Sequence, residues 1–142
     1  RYKCADVAEA ANRLRETYIA AVHSGYRFSA TERMFTQRMG KDTAKLDILC
    51  CIPLEEGFDG EERMEFPETS VICVYYRGAY EGIADACRVL TSYVAENEIQ
   101  TEGGFLSIYL EGPPSRGTNT ADYITQIALP VTDRRQTGDR VL

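Results

Sequence analysis

The chain has 142 residues and a formal net charge of −6 at neutral pH. That length suits one domain with its own core. The net negative charge argues against a surface that binds the phosphates of nucleic acids and favours neutral or cationic partners. No apolar run approaches the roughly 20 residues that cross a bilayer, and no signal peptide is visible, so we expect a cytoplasmic protein without membrane contact.

The five cysteines do not suggest a metal or disulfide framework. Their number is odd, and no pair has the CxxC spacing that zinc sites and redox motifs use. Cys50 and Cys51 are adjacent, so on a strand their side chains would point to opposite faces. We therefore expect reduced thiols, no bound metal and no cofactor.

The first half of the chain predicts one helix and two strands. Asp6 can cap a helix, with Glu9 three residues later in a capping-box arrangement, and Ser24-Gly25 would stop that helix. The chain opens at Arg1 rather than Met, and only Arg1-Tyr2 stands where a first strand would lie, so we expect a fragment of a longer protein. In chain order this half predicts a helix to about His23, a strand over 26–36, a turn over 39–42 and a strand over 46–54.

The second half repeats this order after an acidic connector that contains Gly57 and Gly60. The run at 71–77 is rich in β-branched and aromatic residues and predicts a strand, and Gly78 begins the turn into the next helix. Residues 133–142 are polar without periodicity and predict a tail. The predicted elements are a strand over 71–77, a helix over about 81–97, a strand over 105–110, a loop over 111–121 and a strand over 123–131.

The two predicted helices carry apolar stripes with identical spacing. A tyrosine and a basic residue precede each stripe, Tyr2-Lys3 in one half and Tyr76-Arg77 in the other. Such duplication predicts two modules, about 1–54 and 66–132, joined by a connector at 55–65 and related by a pseudo-twofold axis. We therefore predict an α+β domain over 1–132, a curved antiparallel sheet with two helices on one face and a central ligand cleft. The stripes are Val7, Ala11, Leu14, Tyr18 and Ile83, Cys87, Leu90, Val94.

Three runs in the second half resemble a known family. They are Val74–Glu81, Ser107–Pro113 and Asp122–Val131, and they resemble the strand-to-helix, strand-plus-loop and closing-strand motifs of the GyrI-like, or AraC-type, effector-binding domain. The resemblance implies a sensor of small aromatic or cationic molecules. It also implies the C-terminal half of a MerR- or AraC-type regulator, or a free-standing gyrase-inhibitor-like protein or hydrolase.

The closing strand departs from that family at Gln126. The resemblance implies a glutamate there, which serves as the counter-charge for cationic ligands and as the catalytic carboxylate of hydrolytic members. A glutamine carries no charge, so this position cannot neutralise a buried cation. Asp47 or Glu32 could supply the acid that position 126 lacks.

Strand alternation predicts which side chains face the cleft. In 105–110 the alternate residues Leu106, Ile108 and Leu110 would pack under the helices, which leaves Phe105, Ser107 and Tyr109 for the cleft. Likewise Leu46, Ile48, Cys50 and Ile52 would face the helices, and Asp47, Leu49 and Cys51 the cleft. Only one of Tyr75 and Tyr76 can face it. The candidate ligand-binding residues are Tyr75, Tyr76, Phe105, Tyr109, Gln126, Asp47 and Glu32.

These observations favour the effector-binding domain of a bacterial, multidrug-responsive transcription regulator. It would bind a small aromatic or cationic ligand, reach DNA only through a missing N-terminal domain and form a dimer as the full-length protein. No catalytic residue is predicted, because Ser115, Thr118 and Thr120 have no His/Asp arrangement to activate them. One alternative is a free-standing GyrI-like hydrolase that uses Glu32 or Asp47. A second is an interaction module that inhibits a protein partner.

Overall fold

The computed structural model describes residues 1–40, 45–57 and 64–132, with the side chains of 114 and 115 excepted. Part of the predicted turn at 39–42, part of the connector at 55–65 and the predicted tail at 133–142 lie outside these residues. Among the helices that are described, none is long and apolar enough to cross a membrane.

The described residues form one antiparallel sheet with two long helices. The strand order is β1-β3-β2-β5-β6-β4. A short helix, α3, spans Pro113–Arg116, and 3-10 turns span Tyr80–Gly82 and Thr120–Asp122. The other elements are β1 Tyr2–Cys4, α1 Val7–His23, β2 Phe35–Met39, β3 Leu46–Cys51, β4 Val71–Arg77, α2 Ile83–Glu96, β5 Leu106–Glu111 and β6 Ile124–Pro130.

The sheet order confirms the predicted α+β fold and its pseudo-twofold arrangement. Each half consists of an edge strand, a helix and two further strands, and the halves meet where β2 pairs with β5. Thr36 and Ser107 are paired across that junction, and the strand orders outward from it are equivalent, β2-β3-β1 and β5-β6-β4. The two modules therefore build one continuous sheet with a pseudo-twofold axis at its centre.

The first helix begins as the capping residues predict. The Asp6 carboxylate accepts the N–H of Glu9 at 2.8 Å, and the Glu9 carboxylate accepts the N–H of Ala5 at 2.5 Å. The first bond satisfies a donor that the first helical turn leaves free, and the second fixes the residue just before the cap. At the other end, Gly25 adopts a left-handed φ of 81° that ends the helix.

The predicted strand over 26–36 is wrong for most of its length. The Ser29 hydroxyl accepts the N–H groups of Thr31 and Glu32 at 3.3 and 3.1 Å, and these local bonds turn the chain. Only a single bridge, between Phe28 and Leu54, precedes the turn, so β2 begins at Phe35. Glu32 consequently lies exposed in a turn rather than on the sheet.

Each helix buries a stripe against the sheet, although α1 buries less. Ala10 and Leu14 are buried on α1, and Ala86 and Leu90 occupy the equivalent spacing on α2. The first stripe was predicted to continue to Tyr18, but that side chain is 39% exposed and contacts the Phe28 ring at 5.1 Å. The larger core cluster therefore lies under α2.

Both helices and the central cleft lie on the same side of the sheet. Tyr109 on β5 contacts Tyr80 ahead of α2, and Phe105 packs against the core under that helix. The expectation that Leu106, Ile108 and Leu110 would pack under the helices is therefore wrong. The helices cover the outer strands of each module and leave a gap over β2 and β5, so the cleft forms between them. We call this the helix side and the opposite face the open side.

Candidate functional site

A cavity of about 510 Å³ lies between the two helices on the helix side. Its volume falls within the range of small-molecule sites. The floor comes from β2, β3, β5 and Phe105 just before β5. The walls come from the beginning of α1, the 3-10 turn at Tyr80–Gly82 and one flank of α2. The floor residues are Thr36, Arg38, Leu46, Ile48, Phe105 and Ser107; the wall residues are Asp6, Val7, Ala8, Ala10, Tyr80, Glu81, Ile83, Ala84, Cys87, Arg88 and Thr91.

The centre of the floor is polar because of the pseudo-twofold junction. Thr36 and Ser107 are directly opposite each other on β2 and β5, and both are buried. Side chains two residues apart on a strand lie on the same side of the sheet, so Arg38 and Phe105 lie on the same side as Thr36 and Ser107. The floor is thus lined by two hydroxyl side chains, an arginine and an aromatic ring.

Tyr80, which lines the cavity, belongs to a group of three tyrosines. The Tyr80 ring meets Tyr109 edge-on at 5.5 Å and Tyr123 at 5.2 Å. The Tyr109 hydroxyl and Thr36 Oγ1 lie 3.2 Å apart and share a hydrogen bond. Burial raises the pKa of Tyr80 to about 12 and raises the pKa of Tyr109 as well. Both phenols are therefore neutral at physiological pH and present apolar faces with hydroxyl donors.

Charged side chains of both signs line the cavity. The Asp6 carboxylate is occupied by the helix cap, and Glu81 is exposed. Arg88 is exposed and pairs with Asp85 on its own helix, whereas Arg38 is half-buried on the floor. Of these four charged side chains, Arg38 is therefore the least exposed to solvent.

The Cys87 thiol, also in the cavity wall, remains protonated. Burial raises its pKa to about 11, and the nearby Arg38 guanidinium opposes that effect only weakly. A thiol in this state is a poor nucleophile and a poor metal ligand. Within the described residues, no group of three His, Cys, Asp or Glu side chains could hold a metal ion.

The sequence matches the GyrI-like small molecule binding domain over residues 3–132. The chain belongs to the GyrI-like family. No curated protein matches it.

Two solved structures share this GyrI-like fold. The chain in the EcmrR–DNA complex within EcmrR-RPo superposes with a TM-score of 0.79 at 18% identity, covering 92% of this chain. The EcmrR C-terminal domain superposes with a TM-score of 0.75 at 17% identity, covering 92% of this chain and 87% of that one. This GyrI-like chain spans about half, 51%, of the chain in the DNA complex. At these identities the similarity establishes the fold.

Three residues of the predicted aromatic and polar face lie at the GyrI-like cavity. Phe105 and Ser107 line it, and Tyr109 contacts two of its lining residues, Tyr80 and Thr36. Alternation along 105–110 had grouped these three correctly, because successive side chains point to opposite faces.

The adjacent tyrosines of β4 divide between the two sides, as alternation predicts. Tyr76 packs against the core on the helix side, and its hydroxyl donates to the Ala79 carbonyl at 2.6 Å. A Cβ on Gly82 would collide with that hydroxyl, so Tyr76 holds the turn into α2 rather than lining the cavity. Tyr75 is 55% exposed on the open side.

Gln126 also lies on the open side. It pairs with Tyr75 on β4 and Ile108 on β5, and its neighbour Ile127 takes the helix side. The Gln126 side chain, which stands where the family resemblance implies a glutamate, therefore faces away from the cavity.

The two acids expected to replace a family glutamate do not line this cavity either. Asp47 lies on the open side of β3, where Arg1 Nε and Nη2 donate to its carboxylate at 2.9 and 2.5 Å and Lys3 Nζ lies 3.3 Å away. Asp47 thus lies on the face opposite the helices, and Leu46 and Ile48 face the helices, as alternation predicted. The prediction that Asp47 faces the cleft is wrong, because the cavity lies on the helix side. Glu32 lies in the turn at Ser29.

The ion pairs of Asp47 should make the stability of the protein depend on pH. Hydrogen bonding from Arg1, and then from Lys3, lowers the pKa of Asp47 despite the opposing effect of burial. A lowered folded-state pKa contributes stability that is present above the unfolded pKa of about 3.9 and is lost as the pH falls. We expect Asp47→Asn to destabilise the protein at pH 7, and urea unfolding should show the difference shrinking below about pH 4. A difference that is constant from pH 7 to pH 3 would contradict this.

Sequence reasoning missed the helical walls of the cavity. Ala84, Cys87 and Thr91 recur at helical spacing along one flank of α2, and Asp6 and Glu81 sit at the helix beginnings. The repeat predicted a cleft, but the candidates came mainly from strands. The signal that could have found the walls is the row of small and polar residues beside each buried stripe.

Proposed function

We propose that the chain is the effector-binding domain of a transcription regulator and that a small aromatic molecule binds in the cavity between α1 and α2. The observation that supports this most is the cavity at the pseudo-twofold junction, which is lined by the rings of Tyr80 and Phe105. In this proposal DNA binding belongs to a further domain of a longer, dimeric cytoplasmic regulator. The similarity of this chain to half of the EcmrR chain in a DNA complex supports that arrangement.

A ligand in this position would touch both modules at once. The beginning of α1 comes from the first module, and α2 comes from the second, and both line the cavity. A ligand that binds better to one spacing of the helices shifts the population toward that spacing. That change is the signal which the domain would pass to the rest of a regulator.

The proposal includes binding without turnover. His23, the only histidine of the chain, is exposed at the end of α1 and does not line the cavity. Within the described part, the cavity therefore has no histidine to activate a serine or cysteine, and Cys87 is protonated. The hydrolase alternative relied on Glu32 or Asp47, which lie elsewhere.

A bulky side chain in the cavity wall tests the location of the site. Ala84 is exposed on α2 and lines the cavity, so Ala84→Trp should fill the space without disturbing the core. We expect the neutral fluorescent dye phenylnaphthylamine to bind with a Kd in the micromolar range, about −8 kcal/mol. Ala84→Trp should weaken binding about tenfold or more, measured by fluorescence titration.

Ala95→Trp is the matched control. Ala95 is exposed on the same helix but does not line the cavity, so its substitution should leave the dye affinity unchanged. Equal affinities in wild type and Ala84→Trp, with both proteins folded by circular dichroism, would show that the dye binds elsewhere and would contradict the proposed site.

A further inference from the structure

We propose that the cavity selects uncharged aromatic molecules that carry a hydrogen-bond acceptor, such as a carbonyl oxygen, and that the Ser107 hydroxyl donates to that acceptor. This inference rests on the proposed function, because it names the ligand class of the same cavity. It narrows the aromatic or cationic ligands that the family resemblance implied to neutral aromatic ones.

The Ser107 hydroxyl has no hydrogen-bond partner among the described residues. Ser107 is only 7% exposed, yet it lines the cavity. In the described part of the chain, the unpaired side-chain oxygen that is sealed from solvent is that of Thr125, so the Ser107 oxygen is accessible from the cavity. A hydroxyl that is removed from bulk water without a partner costs free energy, which a ligand oxygen can recover.

The pseudo-twofold junction is asymmetric in its side chains. On either side of the central Thr36–Ser107 pair, the N–H groups of Tyr109 and Arg38 donate across the junction at 3.1 and 2.9 Å. Tyr109 and Arg38 therefore occupy equivalent positions in the two modules. The Tyr109 hydroxyl and Thr36 Oγ1 share a hydrogen bond at 3.2 Å, whereas Ser107 has no equivalent bond within the described residues. Of the two central hydroxyls, that of Ser107 is the one left for a ligand.

The charged side chains of the cavity give little support to a charged ligand. Asp6 is exposed and accepts a helix N–H, and Glu81 is exposed. Arg88 pairs with Asp85, and Arg38 has an interaction partner of its own. A charge that is enclosed without a dedicated counter-charge is unfavourable, whereas a neutral acceptor needs only a donor. The enclosed floor therefore suits an uncharged polar group.

Aromatic rings lie beside this hydroxyl. Phe105 is two residues before Ser107 on the same side of the sheet, and Tyr80 lies in the wall of the same cavity. Both rings can contact an aromatic body while Ser107 donates to the acceptor that this body carries. One ligand can therefore satisfy the apolar and the polar groups together.

Two neutral dyes that differ in one carbonyl oxygen test the inference. Prodan carries a ketone on an aminonaphthalene body, and its deoxygenated analogue carries a propyl chain in place of the propionyl group. We expect Ser107→Ala to weaken prodan binding about fivefold and to leave the affinity of the propyl analogue unchanged, because one neutral hydrogen bond is lost. A hydrogen bond to the ketone shifts prodan emission to longer wavelength, so the emission of bound prodan should move to shorter wavelength in Ser107→Ala. Fluorescence titration measures both effects.

Thr125→Val is the matched control. Thr125 is completely buried and pairs with Tyr109 and Tyr76, so it lies on the helix side, but it does not line the cavity. Its substitution also removes a buried hydroxyl, and both dyes should bind as they do to the wild type. Equal effects of Ser107→Ala on the two dyes, or an unchanged affinity and emission of prodan, would overturn the inference. If Ser107→Ala does not fold, Ser107→Cys supplies a weak donor of similar size, and failure of that variant to weaken prodan selectively overturns it.

The neutral character of the ligand is tested with charged derivatives of the same aromatic body. We expect the carboxylate that replaces the ketone of prodan, and the trimethylammonium derivative of prodan, each to bind more weakly than prodan itself. Tighter binding of either one would overturn the inference. If instead neither prodan nor its propyl analogue binds the folded wild-type protein, or if Ala84→Trp weakens neither, the proposed function itself fails.

Discussion

Leu90→Ala is expected to lower the free energy of unfolding by about 2–5 kcal/mol. Leu90 is completely buried at the centre of α2 and belongs to the larger core cluster with Ile83 and Ile127, which are also completely buried. Removing its terminal isopropyl group loses the transfer free energy of that group and leaves a space that rigid neighbours fill only in part. The α2 wall of the cavity depends on this contact.

Val89→Ala is the control for that substitution. Val89 precedes Leu90 on the same helix and is 57% exposed, so its truncation should change the free energy of unfolding by less than about 0.5 kcal/mol. Urea unfolding followed by circular dichroism measures both variants. Similar effects of the two substitutions would mean that α2 packs on the sheet through another face.

Gly104→Ala is expected to destabilise the protein by about 1–3 kcal/mol, as overpacking usually does. A Cβ at this position collides with the carbonyl oxygen of Arg38, which is backbone and cannot rotate away as a flexible side chain would. Relief of the collision must move backbone beside the 2.9 Å hydrogen bond from Arg38 N to the Phe105 carbonyl.

Gly103→Asn is the control, because it replaces a neighbouring glycine where an added side chain causes no collision. Gly103 has a left-handed φ of 70°, and a Cβ there meets nothing within 4 Å. Asparagine tolerates the left-handed region better than other side chains, so we expect a loss of less than about 1 kcal/mol. Thermal and urea unfolding of the two variants should therefore rank Gly104→Ala as clearly less stable. The reverse ranking would contradict the close packing at Arg38.

The duplicated architecture could be predicted because helical periodicity is a local property of the sequence. Leu14 and Leu90 recur at equivalent points of the two halves, and both are buried. The cap at Asp6 was equally local, since it needs only residues within one turn. The strand over 26–36 failed because the hydrogen bonds of Ser29 produce a turn that alternation of apolar residues does not reveal.

The site was predicted only in part, because alternation groups residues without saying which face the helices cover. Phe105, Ser107 and Tyr109 were grouped correctly, yet they were placed opposite the helices instead of beneath them. Asp47 was assigned to the cleft by the same reasoning and lies on the open side with Arg1. Choosing the face requires the pairing of distant strands, which no single strand encodes.

The most direct test of the cavity as the binding site is a titration of the folded domain with phenylnaphthylamine, followed by amide chemical shifts. We expect the largest shifts at the cavity floor and helical walls, around Thr36, Ser107 and Ala84. Tyr75 and Gln126, which pair on the open side, should change little. Shifts confined to the open side, with the cavity amides unchanged, would contradict a ligand site between α1 and α2.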